Sequence, residues 1–313
     1  MPTPATVAEI QKLGSEIKTF KLVAPGAFKN ATPGAHIDIF LPNGLTRQYS
    51  LCDFDPIGNW GVIGVKNEVS GRGGSAWLHA NLEEGASVDI GDVRNNFDLD
   101  ENAPGYLLIA GGIGVTPMVS MARRLTALGK SFRFVYLCRT KEAAGFLDIL
   151  KEIVPSEALT VHFDDADGVY DLKGELGRLP AGQQVYFCGP EGMLSAVLDL
   201  TRDWPAQLVR FERFSADPAA ASQPASGFTV ELAQSGGSFE IPDDKSILDV
   251  LLDAGLSPEY GCTAGVCGAC TCGVIEGEVD HRDSTQTADE HDAGGTMCIC
   301  VSRAKGAKLV LDI

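Results

Sequence analysis

Residues 261–274 read GCTAGVCGACTCGV, and their cysteines Cys262, Cys267 and Cys270 have the spacing Cys-x4-Cys-x2-Cys. This spacing is typical of plant-type 2Fe-2S sites, in which three thiolates from one loop converge on the cluster. The glycines between the cysteines allow the tight turns and the close backbone approach that a cluster requires. A zinc site would more often have two Cys-x2-Cys pairs or histidines at ligand spacing, which this stretch lacks. The stretch therefore favours an iron-sulfur site over zinc or inert thiols.

A fourth thiolate must come from farther along the chain, where the segment MCICVSR contains Cys298 and Cys300. The two residues are one position apart on a predicted strand, so both would point to the same face. Spacing alone leaves the choice between them open. The chain has nine cysteines, an odd number, and six of them lie between residues 262 and 300. Such clustering indicates metal binding or redox chemistry in a reducing compartment, because secreted disulfide frameworks are smaller and usually even-numbered.

Length and charge limit the classes of protein that this chain could represent. With 313 residues and 44% hydrophobic side chains, two or three domains are expected. No apolar run has membrane-spanning length, and MPTPATVAEI lacks the basic and apolar regions of a signal peptide. We therefore expect a cytoplasmic protein with no membrane partner. The formal net charge of -17 would repel phosphate backbones, so a nucleic-acid partner is not expected.

Changes in sequence pattern divide the chain into three predicted domains. Residues 1–102 contain short strands separated by turns, typical of a small antiparallel barrel or sandwich. Residues 103–214 alternate apolar strands with helical stretches, which predicts a doubly wound parallel α/β sheet. Residues 215–227, SADPAAASQPASG, have the composition of a linker. The remaining residues, 228–313, contain most of the excess acidic side chains, which indicates either docking to a basic partner or solubility alone.

A dinucleotide site is predicted in the second domain, where YLLIAGGIGVTPM (106–118) describes a buried strand, a glycine turn and a helix opened by Pro117. Such a turn can approach a pyrophosphate closely, with the helix N-terminus supplying N–H groups. The match to the full G-x-G-x-x-G pattern is incomplete, because Pro117 occupies the position of the third glycine. A second strand-end motif, CGP, supports the prediction over the alternative of a packing turn and a buried thiol. The candidate residues of the two motifs are Gly111, Gly112, Gly114, Cys188, Gly189 and Pro190.

A flavin site is predicted in the first domain from the strand RQYSL and the later segment GRGGS. Alternation places Arg47 and Tyr49 on one face, where a guanidinium and a phenol can meet a phosphate and an aromatic ring, and Ser50 on the other. The start of the helix after GRGG forms a backbone anion site. The short loop between these segments favours FMN over FAD; a surface charge and an ordinary turn are the alternative. The further candidates around this site are Lys66, Gly73, Gly74 and Ser75.

The order of these motifs along the chain, RxYS, GRGGS, GGIGVTP, CGP and then the cysteine cluster, resembles the phthalate dioxygenase reductase family over essentially the whole sequence. GGIGVTPM and CGPEGM resemble the pyridine-nucleotide domain of the ferredoxin reductase superfamily. Residues 261–304, with EGEVDHRDS and CVSRAK, resemble the family's C-terminal ferredoxin module. The resemblance implies an FMN-binding barrel, an NAD-binding domain and a β-grasp plant-type ferredoxin domain.

The resemblance also implies roles for individual residues. The family's last cluster ligand directly precedes a Val-Ser-Arg-Ala type of sequence, which points to Cys300 as the fourth ligand and leaves Cys272 and Cys298 as spare thiols in strands. Thr116 and Cys188 would flank the nicotinamide. Together with Ser50 they are the predicted residues at the site of hydride transfer, with no general acid or nucleophile assigned.

Two implied features have alternatives. Phe214 in FERF would cover the flavin ring, or else pack at a domain edge. NADH is the expected donor on the resemblance. NADPH stays open, because Arg139 and the acidic stretch HFDDADG both lie where the 2′-position of the adenosine ribose would be recognised.

The predicted parts define an electron-transfer enzyme. A hydride donor delivers electrons in pairs and a 2Fe-2S cluster accepts them singly, and a flavin can convert between the two. The resemblance implies that the acceptor is a Rieske-type terminal oxygenase. Alternatives are a stand-alone NADH-dependent flavin or quinone reductase and an iron-sulfur redox sensor. The motif His281-Arg282-Asp283 does not indicate a kinase, because Ala288 stands where the catalytic loop needs its asparagine, and it reads as a turn.

Overall fold

The computed structural model describes residues 2–42, 44–69, 71–216, 226–285 and 288–313, without the side chains of residues 288–290. The chain divides into two compact units, Met1–Glu212 and Arg213–Ile313. Most of the predicted linker, 215–227, lies outside the described residues. None of the helices described is both long enough and apolar enough to cross a lipid bilayer.

The first unit begins with six antiparallel strands that form a closed barrel in the order β1-β2-β5-β4-β3-β6. Its interior is filled by fully buried side chains such as Phe20, Ile37, Leu51 and Ile63. Closure leaves the sheet without a free edge. The predicted antiparallel barrel is confirmed. Its strands are β1 (Thr3–Leu13), β2 (Ile17–Val23), β3 (His36–Phe40), β4 (Thr46–Phe54), β5 (Trp60–Lys66) and β6 (Ser87–Ile90), and helix α1 (Gly74–Asn81) lies between β5 and β6 in the chain.

The barrel is followed by a five-stranded parallel sheet with the order β11-β10-β7-β8-β9. Every residue of its central strand β7 is buried, as expected for a strand covered on both faces. The predicted doubly wound α/β sheet is confirmed. The elements are β7 (Tyr106–Gly111), α2 (Val115–Ala127), β8 (Phe132–Cys138), α3 (Leu147–Ile153), β9 (Leu159–Phe163), α4 (Asp164–Asp167), α5 (Leu172–Gly177), β10 (Gln184–Cys188), α6 (Glu191–Leu200) and β11 (Val209–Glu212).

The second unit contains a five-stranded mixed sheet in the order β13-β12-β18-β14-β16 and a separate short pair, β15-β17. Strand β18 lies in the middle, parallel to β12 and antiparallel to β14. Helix α7 begins with a capping box between Ser246 and Asp249 and buries its apolar face in the core of this unit. The β-grasp fold is confirmed. The elements are β12 (Phe228–Leu232), β13 (Ser238–Ile241), α7 (Ile247–Asp253), β14 (Thr271–Glu276), β15 (Val279–Asp280), α8 (Ala288–Ala293), β16 (Thr296–Cys298), β17 (Arg303–Ala304) and β18 (Lys308–Leu311).

A buried arginine connects several segments of this unit. The guanidinium of Arg303 donates hydrogen bonds to the carbonyl oxygens of Lys245 at 2.8 Å, Pro242 at 2.7 Å and Ser226 at 3.1 Å. It also lies 5.0 Å from the ring centroid of Phe228. A planar group with five donors in fixed directions can bond to three separate carbonyl oxygens at once. Arg303 therefore joins β17 to the entry of β12 and to the loop before α7.

We expect Arg303→Met to lower the free energy of unfolding of the second unit by about 3 kcal/mol, because three carbonyl oxygens lose a charged donor that is itself buried. Urea unfolding followed by far-ultraviolet circular dichroism measures this change. Arg202→Met is the matched control, since Arg202 is exposed and its ion pair with Asp199 is a surface pair. Equal stability of the two variants would contradict the assignment.

Candidate functional site

The two motifs predicted to bind a dinucleotide lie side by side at the carboxyl ends of β7 and β10. These strands are parallel, with Ala110 opposite Cys188. A Cβ atom on Gly114 would overlap the carbonyl group of Cys188, so only glycine lets the turn after β7 lie against β10. The strand order reverses between β7 and β10, and doubly wound sheets bind nucleotides at this switch point. Gly111 also lies against the CGP motif, where its Cβ atom would be 2.6 Å from Cδ of Pro190 and 3.2 Å from Cα of Gly189.

Helix α2 begins at Val115, two residues before the expected start at Pro117, because a 3-10 turn over Gly112–Gly114 leads directly into it. Thr116 is buried, and its hydroxyl donates to the carbonyl oxygen of Ile113 at 3.0 Å. A Cβ atom on Gly64 of β5 would lie 2.7 Å from Cγ2 of Thr116. The helix that follows the nucleotide turn therefore lies directly against the barrel.

Glu212 belongs to this site and was missed by the sequence analysis. It ends β11 opposite Cys188, and the Ser50 side chain on β4 is its hydrogen-bond partner. Its Oε2 atom is buried, with no hydrogen-bond partner within the part of the chain that is described. Burial raises the pKa of Glu212 to about 8, although the hydrogen bond with Ser50 opposes this, and burial also raises the pKa of Cys188. Both groups are therefore mainly neutral near pH 7.

The sequence shows an acidic residue at position 212, but its role becomes visible only once the strand pairing is known. An acidic residue at the end of a strand is ordinary until that strand is known to pair with the one that carries the CGP motif. The order β11-β10-β7 supplies this pairing.

The predicted flavin residues on β4 divide between two faces of the strand. Tyr49 packs against the barrel core, and burial raises its pKa, so its phenol stays protonated. Ser50 lies on the other face, toward Glu212. The Arg47 guanidinium donates to the carbonyl oxygens of Thr46 at 2.8 Å and Arg72 at 2.9 Å. Arg47 thus holds the GRGG loop close to β4.

The loop that Arg47 holds leads into α1. Gly73 precedes the helix in the left-handed region at φ 81°, and no side chain among the described residues caps the first N–H groups. Gly74 follows and lies against the side chain of Arg47. Ser75 accepts a hydrogen bond from the N–H of Glu68 at 3.1 Å, and Lys66 forms an ion pair with the same residue at 2.5 Å. The structure brings Lys66 and Ser75 to this loop, where both contact Glu68.

Two further predicted positions follow strands of the parallel sheet in the chain. Phe214 follows β11 by two residues, belongs to the second unit and is 44% exposed. Arg139 follows β8, and its carbonyl oxygen accepts from the N–H of Asp165 at 3.1 Å. The basic and acidic candidates for recognising the adenosine ribose thus lie together at the carboxyl ends of β8 and β9.

The cysteine loop directs backbone N–H groups at sulfur. Cys262 Sγ accepts from the N–H groups of Ala264 at 3.3 Å and Val266 at 3.4 Å, and Cys267 Sγ accepts from the N–H of Cys262 at 3.4 Å. Hydrogen bonds from neighbouring thiols, with these N–H groups adding to them, lower the pKa of Cys262. The loop stabilises a thiolate at this position.

The two candidates for the fourth ligand differ in position. Strand β16 ends at Cys298, and Cys300 lies in the turn beyond it, where the N–H of Ser302 bonds back to the carbonyl of Cys298 at 3.0 Å. The expectation that Cys298 and Cys300 share one face of a strand was therefore wrong. The Cys300 sulfur lies within hydrogen-bonding distance of both Cys262 and Cys270. The Cys298 sulfur instead reaches Cys270, Thr271 and Thr285.

The residues at these sites are chemically suited to the three cofactors that the sequence indicates. Four buried cysteines with N–H donors around them suit an iron-sulfur cluster, because thiolates bind iron and backbone donors stabilise the sulfur charge. The uncapped start of α1 beside Arg47 suits the phosphate of FMN. The glycine turn against β10 leaves space for the pyrophosphate of a dinucleotide.

Both family models and individual proteins of known function match this chain. Residues 230–305 match the family described as the 2Fe-2S iron-sulfur cluster binding domain, and residues 92–207 match the N-terminal domain of dimethylamine monooxygenase subunit DmmA-like proteins. The chain is 41% identical over 312 residues to phthalate dioxygenase reductase of Burkholderia cepacia, covering 98% of this chain and 96% of that protein. It is 40% identical over 316 residues to tetrachlorobenzoquinone reductase of Sphingobium chlorophenolicum, covering 98% and 97% respectively.

A solved structure extends the likeness to the fold. The structure of phthalate dioxygenase reductase, described as modular for electron transfer from pyridine nucleotides to 2Fe-2S, superposes with a TM-score of 0.70 at 39% identity, covering 100% of this chain and 98% of that chain. The predicted class of enzyme, a pyridine-nucleotide-dependent flavin and iron-sulfur oxidoreductase with FMN, NADH and a 2Fe-2S cluster, is confirmed. The chain belongs to the phthalate dioxygenase reductase family.

Proposed function

We propose that this chain is the cytoplasmic reductase component of a two-component oxygenase, carrying electrons from NADH through FMN and a 2Fe-2S cluster to a Rieske-type terminal oxygenase. One observation carries the proposal: a single chain combines a nucleotide crevice beside a flavin barrel with a pocket of four buried cysteines. The name of the Burkholderia cepacia relative, a dioxygenase reductase, supports an oxygenase as the acceptor.

The crevice residues position the hydride donor and acceptor. When bound, FMN supplies the conversion of a hydride into two single electrons. Thr116 and Cys188 would hold the nicotinamide at the carboxyl ends of β7 and β10, and Ser50 would hold the flavin from β4. Glu212, protonated near neutral pH, keeps this pocket uncharged and holds a proton at its carboxyl group next to Ser50. These residues orient the reactants and exclude water, and none acts as a nucleophile.

The remaining predicted residues bind the other parts of the cofactors. Arg47 and the N–H groups at Gly74 and Ser75 bind the FMN phosphate, because a guanidinium and a helix N-terminus both favour an anion. Tyr49 contacts the flavin ring, with Lys66 near the same loop and Phe214 over the ring. The turn glycines and the CGP motif bind the pyrophosphate and nicotinamide ends of NADH. The cluster ligands are Cys262, Cys267, Cys270 and Cys300.

A second function has support from the Sphingobium chlorophenolicum relative, which is named a tetrachlorobenzoquinone reductase. A quinone can accept electrons from the flavin without a protein partner. In that case turnover with NADH and quinone would persist in a variant that lacks the iron-sulfur cluster, whereas reduction of an oxygenase would stop.

The experiment that tests the proposal supplies NADH and a purified Rieske-type oxygenase, under anaerobic conditions, to catalytic amounts of the holoprotein. Bleaching of the oxygenase chromophore measures electron delivery, and the same assay with a benzoquinone measures the alternative. We expect faster reduction of the oxygenase than of the quinone, slowed by rising salt if the acidic second unit docks to a basic surface. Fast quinone turnover with no reduction of the oxygenase would reject the proposed acceptor.

We expect Cys300→Ser to lose the iron-sulfur cluster and Cys298→Ser to retain it, because only the Cys300 sulfur lies near both Cys262 and Cys270. Iron and sulfide content, together with the visible spectrum, measure the result. Cys272→Ser is the control for removal of a thiol in the same unit. The opposite behaviour of the two variants would make Cys298 the ligand.

Arg47→Ala should weaken FMN binding roughly tenfold to a hundredfold, since it removes a charged donor to the phosphate and releases the Arg72 loop. Flavin fluorescence on dilution of the holoprotein measures the dissociation constant. Arg178→Ala removes an exposed arginine of the same unit and should leave binding unchanged. Unchanged FMN affinity in Arg47→Ala would refute the phosphate site.

The Glu212 carboxyl should make the stability of the first unit depend on pH. Its pKa is raised to about 8 from an unfolded value of 4.5, so its stabilising contribution is complete below pH 4.5 and is lost as pH rises through 8. We expect the midpoint of thermal unfolding to fall over this range. Glu212→Gln, which is neutral and similar in shape, should flatten that part of the profile. An unchanged slope in Glu212→Gln would show that Glu212 is not the titrating group.

A further inference from the structure

A cluster of two histidines and one carboxylate lies in the second unit beside Gly265 of the cysteine loop, and no role described above uses it. The imidazole rings of His281 and His291 stack, with centroids 4.0 Å apart and planes 13° from parallel. Asp283 lies beside both rings: its Oδ1 is 3.8 Å from Nδ1 of His281, and its Oδ2 is 3.4 Å from Nε2 of His291. We call these three residues the histidine-carboxylate cluster.

The carboxylate of the cluster is fixed in direction. The Asp283 side chain is fully buried. Its Oδ1 accepts a hydrogen bond from the Ser302 hydroxyl at 3.2 Å, and its Oδ2 accepts from the Thr285 hydroxyl at 2.6 Å. These neutral donors hold the carboxyl group toward the two imidazoles, in the manner of the outer-shell hydrogen bonds that orient metal ligands.

The cluster holds one buried anion beside two imidazoles, an arrangement that attracts a cation. Although burial opposes it, hydrogen bonds from Thr285 and the field of His291 leave the pKa of Asp283 lowered, so it is a buried anion. Its ion-pair partners in the described part of the chain are the two histidines alone. Two rings stacked 4.0 Å apart disfavour a positive charge on both, and burial, together with His291, lowers the pKa of His281. Nearby Lys305 acts in the same direction.

One ligand atom of the cluster lacks a hydrogen-bond partner. Nδ1 of His281 is buried and has no hydrogen-bond partner among the described residues. A buried polar nitrogen without a partner is costly, and a neutral imidazole nitrogen is the commonest ligand of metal ions in proteins. One oxygen of Asp283 and one nitrogen of each histidine all lie within 4.8 Å of one another.

We propose that His281, Asp283 and His291 form a binding site for a divalent transition-metal ion of the zinc type, separate from the iron-sulfur site. Two imidazoles and one carboxylate are the donors that such ions prefer, and a water molecule would complete four-fold coordination. Bonds of about 2.0–2.2 Å in a tetrahedron separate ligand atoms by about 3.3 Å. Binding therefore requires the two rings to turn out of their stack and the ligand atoms to close in.

The bound ion would fasten the segment that lies next to the cysteine pocket. His291 is on α8, while His281 and Asp283 precede it, and Asp283 is bonded to Ser302 two residues beyond Cys300. Thr285, which bonds to Asp283, also lies 3.5 Å from the Cys298 sulfur. An ion at the histidine-carboxylate cluster would thus connect α8 to the chain that carries the last cysteines.

The test measures zinc and iron together in the holoprotein, so that a new site is distinguished from zinc in place of iron. After equilibration with buffered zinc and removal of the excess, we expect about one zinc ion per chain with unchanged iron content. X-ray absorption at the zinc edge should show nitrogen and oxygen neighbours at about 2.0–2.1 Å and no sulfur at about 2.3 Å.

Substitution of the two histidines tests whether they are the zinc ligands. His291→Ala and His281→Ala should each lower zinc affinity tenfold or more while iron and flavin content stay unchanged. His162→Ala is the matched control, because His162 also lies near a carboxylate, 3.6 Å from Asp164, but in the first unit. If His281→Ala fails to fold, His291→Ala and the absorption spectrum decide. The proposal is rejected if zinc does not bind, if sulfur surrounds it, or if His291→Ala binds it as tightly as the unaltered chain.

Discussion

The structure depends on the close approach of the turn after β7 to the end of β10. At Gly114 no side chain is possible, because a Cβ atom would overlap the carbonyl group of Cys188. The same turn leads into α2, whose Thr116 lies against Gly64 of the barrel. A larger residue at position 114 would therefore move the helix away from β10 and from the barrel together, since packed interiors transmit such displacements. The turn after β7, the end of β10 and strand β5 of the barrel are therefore held in one geometry.

The pocket around Glu212 and the sites of the second unit bury ionisable groups in different ways. In the first unit, burial raises the pKa of Glu212 and Cys188, so the pocket that we propose for hydride transfer stays neutral. In the second unit, hydrogen-bond donors keep anions buried: N–H groups surround Cys262, and hydroxyls hold Asp283. A neutral pocket suits the approach of two aromatic rings, whereas fixed anions suit the binding of cations. A buried acidic group with hydrogen-bond donors around it stays charged, and one without enough donors becomes neutral. This difference sets the polarity of each site.

Local patterns predicted the barrel and the parallel sheet of the first unit, because glycine turns and strand periodicity are properties of short segments. The β-grasp fold of the second unit was expected from the resemblance to the family. Features that depend on contacts between segments far apart in the chain could not be predicted from the sequence. Glu212 acquires its environment only when β11 pairs with β10, and the histidine-carboxylate cluster forms only when α8 folds back onto the preceding turn. The shared strand face expected for Cys298 and Cys300 failed because β16 stops at the first of them, where the chain turns toward Ser302. Periodicity cannot show where a strand ends when both flanking residues are apolar.

The central place of β18 in the second sheet has a consequence for biosynthesis. This strand follows all of the candidate cysteine ligands in the chain, yet it separates β12 from β14. A nascent chain that has emerged from the ribosome only as far as Cys300 holds every thiol but cannot assemble the sheet that shapes their pocket. Maturation with iron must therefore follow release of β18, and until then the exposed edges of β12 and β14 are open to misassembly and to oxidation of the thiols.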